Sequence, residues 1–196
     1  MYMKILSNTM RGFSTTLIVV LGLVVVITLW LMSSYNGLVN SNEAVTNQWA
    51  QVETQYQRRF DLIPNLVESV KGIMSQEKTV FTALANARSH YAGATTDDQK
   101  AVAAGQVESA LGRLLVITEN YPQLKSSENV ATLMVQLEGT ENRVSVERTR
   151  YNDIVKDYNL RVKRIPGSIL ASLFGFKEHP YYEAVAGSQN APKVQL

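Results

Sequence analysis

The chain has 196 residues, 19 basic and 17 acidic side chains, a net charge of +2 and no cysteine. Without cysteine it can form neither a disulfide nor a lipidated-cysteine anchor. From Asn36 to Arg164 the 15 basic residues equal the 15 acidic ones. This balance argues against a nucleic-acid-binding body, because such a body carries an excess of positive charge.

The N-terminal region has the features of a membrane anchor. No charged residue lies between Arg11 and Glu43, and the apolar run from Phe13 to Met32 would span about 30 Å as a helix, the thickness of a bilayer's hydrocarbon core. The run is longer than the core of a secretory signal, and no small-x-small cleavage site follows it. We therefore predict a short tail over residues 1–12 and an uncleaved transmembrane helix over residues 13–32.

A second interpretation of this region is a pilin-like assembly subunit. Arg11-Gly12-Phe13-Ser14 before an apolar helix resembles the processing site of type IV pilins. Pilins carry a glutamate five residues after the cleaved glycine, whereas this chain has Leu17 there. The carboxylate that pairs pilin subunits is therefore missing, which leaves the pilin interpretation as a minor alternative.

After the anchor, apolar residues recur mostly at steps of three, four and seven, the spacing of one helix face, with Glu77 interrupting the second stripe. Four such stripes predict helices near residues 34–60, 64–92, 97–121 and 127–164. The stripe residues are Leu38, Val45, Trp49, Val52 and Tyr56 in the first helix; Leu66, Val70, Ile73, Phe81, Leu84 and Tyr91 in the second; Val107, Leu111, Leu114, Thr118 and Tyr121 in the third; and Val130, Leu133, Leu137, Val144, Tyr151, Tyr158 and Val162 in the fourth.

Proline and capping residues mark the predicted helix boundaries. Pro64 suits a helix start, because proline lacks an N–H and clashes with the preceding turn. Thr96, followed three residues later by Gln99, predicts a capping box that opens the third helix. Pro122 closes the third helix and Pro166 ends the fourth. The alternative at the first boundary is one kinked helix that runs on through Pro64.

These elements predict an all-α fold with a single-span N-terminal transmembrane helix. An antiparallel up-and-down helical bundle over residues 34–164 follows, with four helices, or three if the helix runs on through Pro64. The seven-residue repeat of the last stripe is typical of coiled-coil packing. In this order the turn near Pro64 lies far from the membrane, whereas the end of the fourth helix lies close to it.

Two sequence blocks resemble the signatures of the LemA family. The first is Trp49-Ala50-Gln51-Val52-Glu53 followed by residues 57–67, Gln-Arg-Arg-Phe-Asp-Leu-Ile-Pro-Asn-Leu-Val. The second consists of Tyr151-Asn152 and Tyr158-Asn159, and residues 166–176 with 180–182 resemble the family's C-terminal block. The likeness covers about residues 35–185. It implies a bacterial protein with an N-terminal transmembrane helix, an α-helical bundle and no established chemistry.

Basic residues next to the anchor predict its orientation. The family's usual topology puts the short N-terminus outside the cell. Here Lys4 and Arg11 precede the span, whereas residues 33–57 contain no lysine or arginine. Positive residues near a span tend to stay in the cytoplasm. We therefore expect a single-pass protein of the bacterial inner membrane, with its bundle on the extracytoplasmic side.

The sequence contains no recognisable catalytic or metal-binding motif. It lacks Glu-x-x-His pairs, a cysteine nucleophile and glycine-rich phosphate loops, and its only histidines are His90 and His179. We therefore predict a protein that is not an enzyme and needs neither a metal nor another cofactor.

Two groups of residues are candidate interaction sites. The first is a docking tip at the predicted turn, formed by Arg58, Arg59, Asp61, Pro64 and Asn65; an interhelical salt bridge is the structural alternative for its charges. The second is a membrane-proximal segment within residues 165–185, which packs on the bundle or lies at the membrane. Residues 186–196 are predicted to be a flexible tail. The membrane-proximal candidates are Arg161, Lys163, Arg164, Ile169, Leu170, Leu173, Phe174 and Phe176.

The sequence thus predicts a membrane-anchored, non-catalytic helical-bundle protein. It would act as an interaction or scaffold component of a bacterial membrane complex. Its expected partners are the lipid bilayer and other membrane proteins. A homo-oligomer is an alternative, and nucleic acid is not an expected partner. The alternative is an enzyme or ligand-binding module whose pocket leaves no sequence motif.

Overall fold

The structure is a computed structural model that describes residues 2–74 and 76–182, with side chains described for residues 17–74, 76–124 and 126–182. Six helices and no strand occur in this part of the chain. They are α1 (Tyr2–Lys71), α2 (Lys78–Gly93), α3 (Asp97–Thr118), α4 (Pro122–Lys125), α5 (Glu128–Lys163) and α6 (Gly167–Phe174). The predicted all-helical class is confirmed, and the up-and-down bundle order stays a prediction. The predicted tail at residues 186–196 lies outside the described residues.

The exposure of α1 changes along its length. From Leu17 to Met32 every side chain is exposed. Beyond this run the first predicted stripe, from Leu38 to Tyr56, is buried. The apolar residues of α1 are therefore exposed in its N-terminal part and buried against other protein side chains further along the helix.

The first helix boundary differs from its predicted position. The helix α1 does not break at Pro64 but continues to Lys71, as in the alternative of a helix running through the proline. Pro64 lies on an exposed face of α1. The helical hydrogen bond that proline cannot donate is therefore lost at the surface and not in the core. The connection to α2 lies at residues 72–77, where Met74 N donates to the Val70 carbonyl. The predicted turn at residues 61–64 is therefore part of a helix.

The start of α3 follows the predicted capping chemistry. Thr96 is the N-cap and accepts a hydrogen bond from Gln99 N, at 3.3 Å. The Gln99 side chain reaches back one residue further than a standard capping box and accepts from Thr95 N, at 3.0 Å. After α3, the single turn α4 begins at Pro122, a position suited to a residue without an N–H.

The described chain divides into two compact units. Unit 1 contains the residues up to Thr46 and Ile154–Pro180, so it holds the apolar run of α1, the end of α5 and all of α6. Unit 2 contains Asn47–Asp153 and the chain from Tyr181 onward.

Side chains from five helices, α1 to α5, form the core of unit 2. Tyr91 of α2 packs edge-on against Phe60 of α1, with ring centroids 4.4 Å apart, and α2 and α3 also pack together. The helix α3 is long and apolar enough to cross a membrane. However, its apolar residues Val107, Leu111 and Leu114 are buried within unit 2, as expected of a core helix.

Candidate functional site

Arg59 lies at the centre of a buried charge network in unit 2. Its side chain is 1% exposed, although the neighbouring Arg58 is exposed. Arg59 Nη1 lies 3.4 Å from Glu108 Oε1 on α3, and Nη2 lies 2.5 Å from Glu141 Oε2 on α5. The arginine therefore joins three helices, which is the salt-bridge alternative considered for the predicted docking tip. A planar guanidinium with several donors suits such a position better than lysine does.

Arg148 of α5 supplies the second positive charge of the network. Its Nη1 and Nη2 donate to the two carboxylate oxygens of Glu108, each at 3.1 Å, which is a bidentate pair. Burial raises the pKa of Glu108, but the hydrogen bond from Arg148 and the charges of both arginines outweigh burial and hold the pKa below the ordinary 4.5. Glu108 is therefore ionised at neutral pH and held in place by Arg148.

The pKa of Glu141 shifts in the opposite direction to that of Glu108. Burial and a hydrogen bond shared with Glu108 raise the pKa of Glu141 above 4.5, and the charge of Arg59 opposes them. On acidification, Glu141 therefore takes up the shared proton before Glu108 does. The two carboxyl groups have different roles, although both contact Arg59.

Replacing each carboxyl with its amide should separate these roles. At pH 7 we expect Glu108→Gln to lower the free energy of unfolding by about 1.5–3 kcal/mol, because it removes charge-assisted hydrogen bonds. We expect Glu141→Gln to cost less than about 1 kcal/mol, because Glu141 is half exposed and its charged form is disfavoured. The measurement is the urea midpoint of the full chain in dodecyl maltoside micelles.

The pH dependence of these variants follows from the same shifts. The lowered pKa of Glu108 gives stability that is present above its unfolded pKa and lost as pH falls through its folded pKa. The difference between wild type and Glu108→Gln should therefore shrink below about pH 4.5. The raised pKa of Glu141 has the opposite effect on stability. Its contribution to the free energy of unfolding is present below its unfolded pKa and is lost as pH rises through its folded pKa. Equal effects of both variants at pH 7 would contradict the assignment.

A chain of hydrogen bonds links this network to the C-terminal part of unit 2. Arg148 Nε donates to the Tyr56 hydroxyl, at 2.9 Å, and that hydroxyl donates to the Tyr182 hydroxyl, also at 2.9 Å. The Arg148 guanidinium also lies over the Tyr182 ring, 4.5 Å from its centroid. Burial is the main cause of a raised Tyr56 pKa, so its hydroxyl stays neutral. A neutral tyrosine with fixed donors and acceptors is a structural element rather than a base.

A cavity of 610 Å³ opens beside the charge network. Its apolar wall includes Leu115, Met134 and Leu137, and its charged wall includes Arg59 and Glu141. Glu108, Glu119 and Glu138 also line the cavity, so acidic side chains outnumber basic ones there. A ligand with both an apolar body and a positive charge would complement these walls.

The other members of the predicted docking tip lie on the surface of α1. Arg58, Asp61, Pro64 and Asn65 are exposed, and Asp61 accepts a hydrogen bond from the Gln57 side chain, at 2.9 Å. These residues do not surround a turn, because α1 continues through them. The structure thus separates Arg59, which is interior, from an exposed helix face.

The two Tyr-Asn pairs of α5 hold the chain that follows α6. In unit 1, Asn159 Nδ2 donates to the His179 carbonyl at 2.9 Å, and His179 N donates to Asn159 Oδ1 at 3.0 Å. In unit 2, Asn152 makes the same reciprocal pair with the backbone of Tyr182, at 3.1 and 2.7 Å. The preceding tyrosines, Tyr158 and Tyr151, are buried. Each pair therefore combines a core side chain with an amide that holds the backbone of the chain after α6.

The membrane-proximal candidates all lie in unit 1. Leu170 is buried, whereas Ile169, Leu173 and Phe174 are exposed, and Phe176 packs against Tyr35 with ring centroids 5.9 Å apart. The three basic candidates lie at the end of α5 and just after it, and Lys163 pairs with Glu178 at 2.8 Å. The basic candidates are Arg161, Lys163 and Arg164.

Gly167 permits the close approach of α6 to α5. A Cβ at this position would overlap the carbonyl oxygen of Arg161, which is backbone and cannot move aside like a side chain. We expect Gly167→Ala to lower the free energy of unfolding by about 1–3 kcal/mol through overpacking. Gly139→Ala is the matched control, since a Cβ there meets nothing within 4 Å, and the substitution should stabilise α5 by about 0.8–1 kcal/mol. Urea midpoints that move in the same direction would contradict this packing.

Sequence reasoning missed Glu108, Glu141 and Arg148 as a network. Glu108 stands within the apolar stretch of α3, between the buried Val107 and Leu111, and that contrast was the available signal. Its partners Arg59, Glu141 and Arg148 are all more than 30 positions away along the chain, so no local spacing connects them.

Comparison with known proteins gives the family of this chain. Magnetosome protein MamQ 2 of Paramagnetospirillum magneticum is 27% identical over 179 residues, covering 78% of this chain and 66% of that protein, slightly less than two thirds. Magnetosome protein MamQ of Magnetospirillum gryphiswaldense is 29% identical over 189 residues, covering 83% of this chain and 69% of that protein. The profile of the LemA family matches residues 48–196. This match covers well over half of the chain, and the protein therefore belongs to the LemA family.

Proposed function

We propose that this protein is a single-span membrane protein whose helical part acts, without catalysis, as an interaction component of a bacterial membrane complex. The observation that carries the proposal is the exposed apolar run of α1 from Leu17 to Met32. Exposed apolar surfaces of this extent are unfavourable in water, and they mark sites that contact a membrane or another protein. Its length as a helix matches that of a bilayer core when Phe13 is included.

The proposed orientation keeps the N-terminus in the cytoplasm. Lys4 and Arg11 precede the span, and the first basic residue after it is Arg58. A bias of lysine and arginine toward one side of a span favours that side as cytoplasmic. The rest of the protein would then lie outside the cytoplasm, anchored in the inner membrane.

The chemistry of unit 2 supports a non-catalytic role. The charges of its buried network are engaged with one another, as expected of groups that hold helices together. Among the described residues, no group of three or more histidine, aspartate or glutamate side chains is placed to bind a metal ion. The described tyrosine hydroxyls with raised pKa values remain neutral, so they do not serve as bases.

The exposed face of α1 is the proposed docking surface. Arg58, Asp61 and Asn65 follow one another at steps of three and four, so they share one helix face. Arginine is enriched at protein interfaces, where its guanidinium makes directed hydrogen bonds. The MamQ relatives are named magnetosome proteins. We propose the more general role for this chain, in an assembly of a bacterial membrane.

Two measurements on the tagged full chain test this proposal. Alkaline carbonate washing should leave the protein in the membrane pellet, and native gels of solubilised membranes should show an assembly heavier than the 21.8 kDa chain. Arg58→Glu should dissociate the assembly without changing the melting temperature. Arg88→Glu, the same charge change at an exposed position on α2, should leave it intact. Release by carbonate, or equal behaviour of the two variants, would overturn the proposal.

The cavity beside Arg59 favours a second candidate function, the binding of a cationic amphipathic ligand. Its volume of 610 Å³ lies in the range of small-molecule sites. Leu115→Trp should fill the space, since Leu115 lines the cavity and is 44% exposed. If this variant alone abolishes function while Arg58→Glu has no effect, the cavity rather than the α1 face is the functional surface.

A further inference from the structure

A second surface of unit 1 is apolar and exposed, in addition to the run of α1. We propose that the stripe formed by Ile165, Ile169, Leu173 and Phe174, called here the α6 stripe, is immersed in anionic lipid at the boundary between headgroups and acyl chains. This inference rests on the proposed membrane anchoring and adds a second, specific contact with the bilayer.

The exposure of the α6 stripe is unusual for large apolar side chains. Ile165 is 79% exposed, Ile169 56%, Leu173 73% and Phe174 60%. Ile169 and Leu173 are four residues apart, so they share one face of α6, and Phe174 is the next residue, whereas Ile165 lies in the turn before the helix. Single exposed apolar residues are common, but four large ones within ten residues indicate a contact surface.

Packing on the opposite face fixes the direction of the stripe. Gly167, Leu170 and Ala171 are buried. Gly167 is held against the Arg161 carbonyl, and a Cβ there would also lie 3.9 Å from Leu38 Cδ2 of α1. The helix cannot rotate to bury Leu173 without exposing Leu170. The orientation of α6 therefore leaves the stripe uncovered within unit 1.

Aromatic contacts bring α6 to the end of the membrane-length run. The Tyr35 ring lies 4.8 Å from the Phe174 ring and 5.9 Å from the Phe176 ring. Tyr35 follows Met32, the last residue of the run, by three positions, a rise of about 4.5 Å along a helix. Tyrosine is enriched at the level of lipid headgroups. The stripe therefore continues the lipid-facing surface of α1.

Charged residues around α6 match anionic lipid. Arg161, Lys163 and Arg164 precede the helix and Lys177 follows it, whereas the acidic Glu178 is the partner of Lys163. Amphipathic helices with cations beside an apolar face bind at the headgroup boundary, and the cations favour anionic lipid.

Lipid is a better occupant of the stripe than a second copy of the chain. The helix α6 has eight residues, which make it about 12 Å long. A stable protein interface buries about 800 Å² on each partner, far more than four side chains provide. Continuity with the exposed run of α1 points in the same direction, because lipid already surrounds that run in the proposed membrane state.

The absence of native cysteine allows a direct test in the full chain. Leu173→Cys, labelled with a nitroxide, is reconstituted into vesicles of phosphatidylcholine and phosphatidylglycerol, and its collision rates with oxygen and with a water-soluble nickel chelate are measured. We expect an immersion depth of about 5–10 Å below the headgroups. Leu23→Cys in the exposed run is the lipid reference, and Val135→Cys, at an apolar position of α5 that is 69% exposed, is the water reference.

The outcomes separate the α6 stripe from the anchor. Immersion of the Leu173 label that decreases in vesicles of phosphatidylcholine alone supports the proposal. Nickel accessibility equal to that of the Val135 label overturns the lipid contact, whereas protection from both reagents with spin–spin broadening assigns the stripe to a second copy. Immersion that does not depend on lipid charge overturns the preference for anionic lipid. A water-exposed Leu23 label would overturn the anchor itself.

Discussion

Replacing Arg59 with alanine is expected to lower the free energy of unfolding by about 3–5 kcal/mol, because breaking a buried ion pair leaves its partners uncompensated. Arg59 is 1% exposed and contacts both Glu108 and Glu141. Without it, Arg148 alone balances the two carboxylates, and the space of a large side chain is left in the core. The measurement is the urea midpoint followed by far-UV circular dichroism in dodecyl maltoside micelles.

The neighbouring arginine provides a matched control for this prediction. Arg58→Ala removes the same chemical group from an exposed position and should change stability by no more than about 0.5 kcal/mol. Arg59→Met keeps much of the side-chain volume, so its difference from Arg59→Ala separates the charge from the cavity. If Arg59→Ala and Arg58→Ala unfold at the same urea concentration, the network does not hold the helices together.

The burial of Arg59 could have been predicted from the phase of the apolar stripe. Val52, Tyr56, Ile63, Leu66 and Val70 are all buried. Their steps are four, seven, three and four, and within the step of seven residues 59 and 60, three and four positions after Tyr56, lie on the same face and are both buried. The stripe also passes Pro64 without a change of phase, which is a sign of one continuous helix. The sequence interpretation gave more weight to the local effect of proline than to this longer pattern.

Other parts of the structure could not be derived from the sequence. The all-helical class and the cap at Thr96 depend on local patterns, so they were predictable. The partners of Glu108 depend on which helices pack together. Likewise, Asn152 and Asn159 appeared only as parts of a family signature. Their function of holding the backbone at Tyr182 and His179 depends on where the chain returns after α6.

Trp49→Ala is expected to produce the second large effect, a loss of about 3–5 kcal/mol from the removal of a buried tryptophan. Trp49 is 7% exposed in unit 2, and its ring lies 5.3 Å from the Tyr151 ring and 6.5 Å from the Tyr182 ring. Aromatic pairs of this kind add about 0.5–1.5 kcal/mol beyond the burial of area. The measurement is again the urea midpoint of the full chain in micelles.

The other tryptophan of the chain makes the test internally controlled. Trp30 is 54% exposed within the apolar run of α1, so Trp30→Ala should leave the unfolding midpoint unchanged. That variant also leaves Trp49 as the only tryptophan, and its fluorescence should shift to longer wavelength at the same urea concentration at which helicity is lost. Trp49→Phe should recover part of the stability by keeping an aromatic ring beside Tyr151. If Trp49→Ala unfolds at the wild-type midpoint, Trp49 and the stripe that it belongs to do not form the core of unit 2. The packing of the helices around Arg59 would then not be stabilised by these apolar contacts.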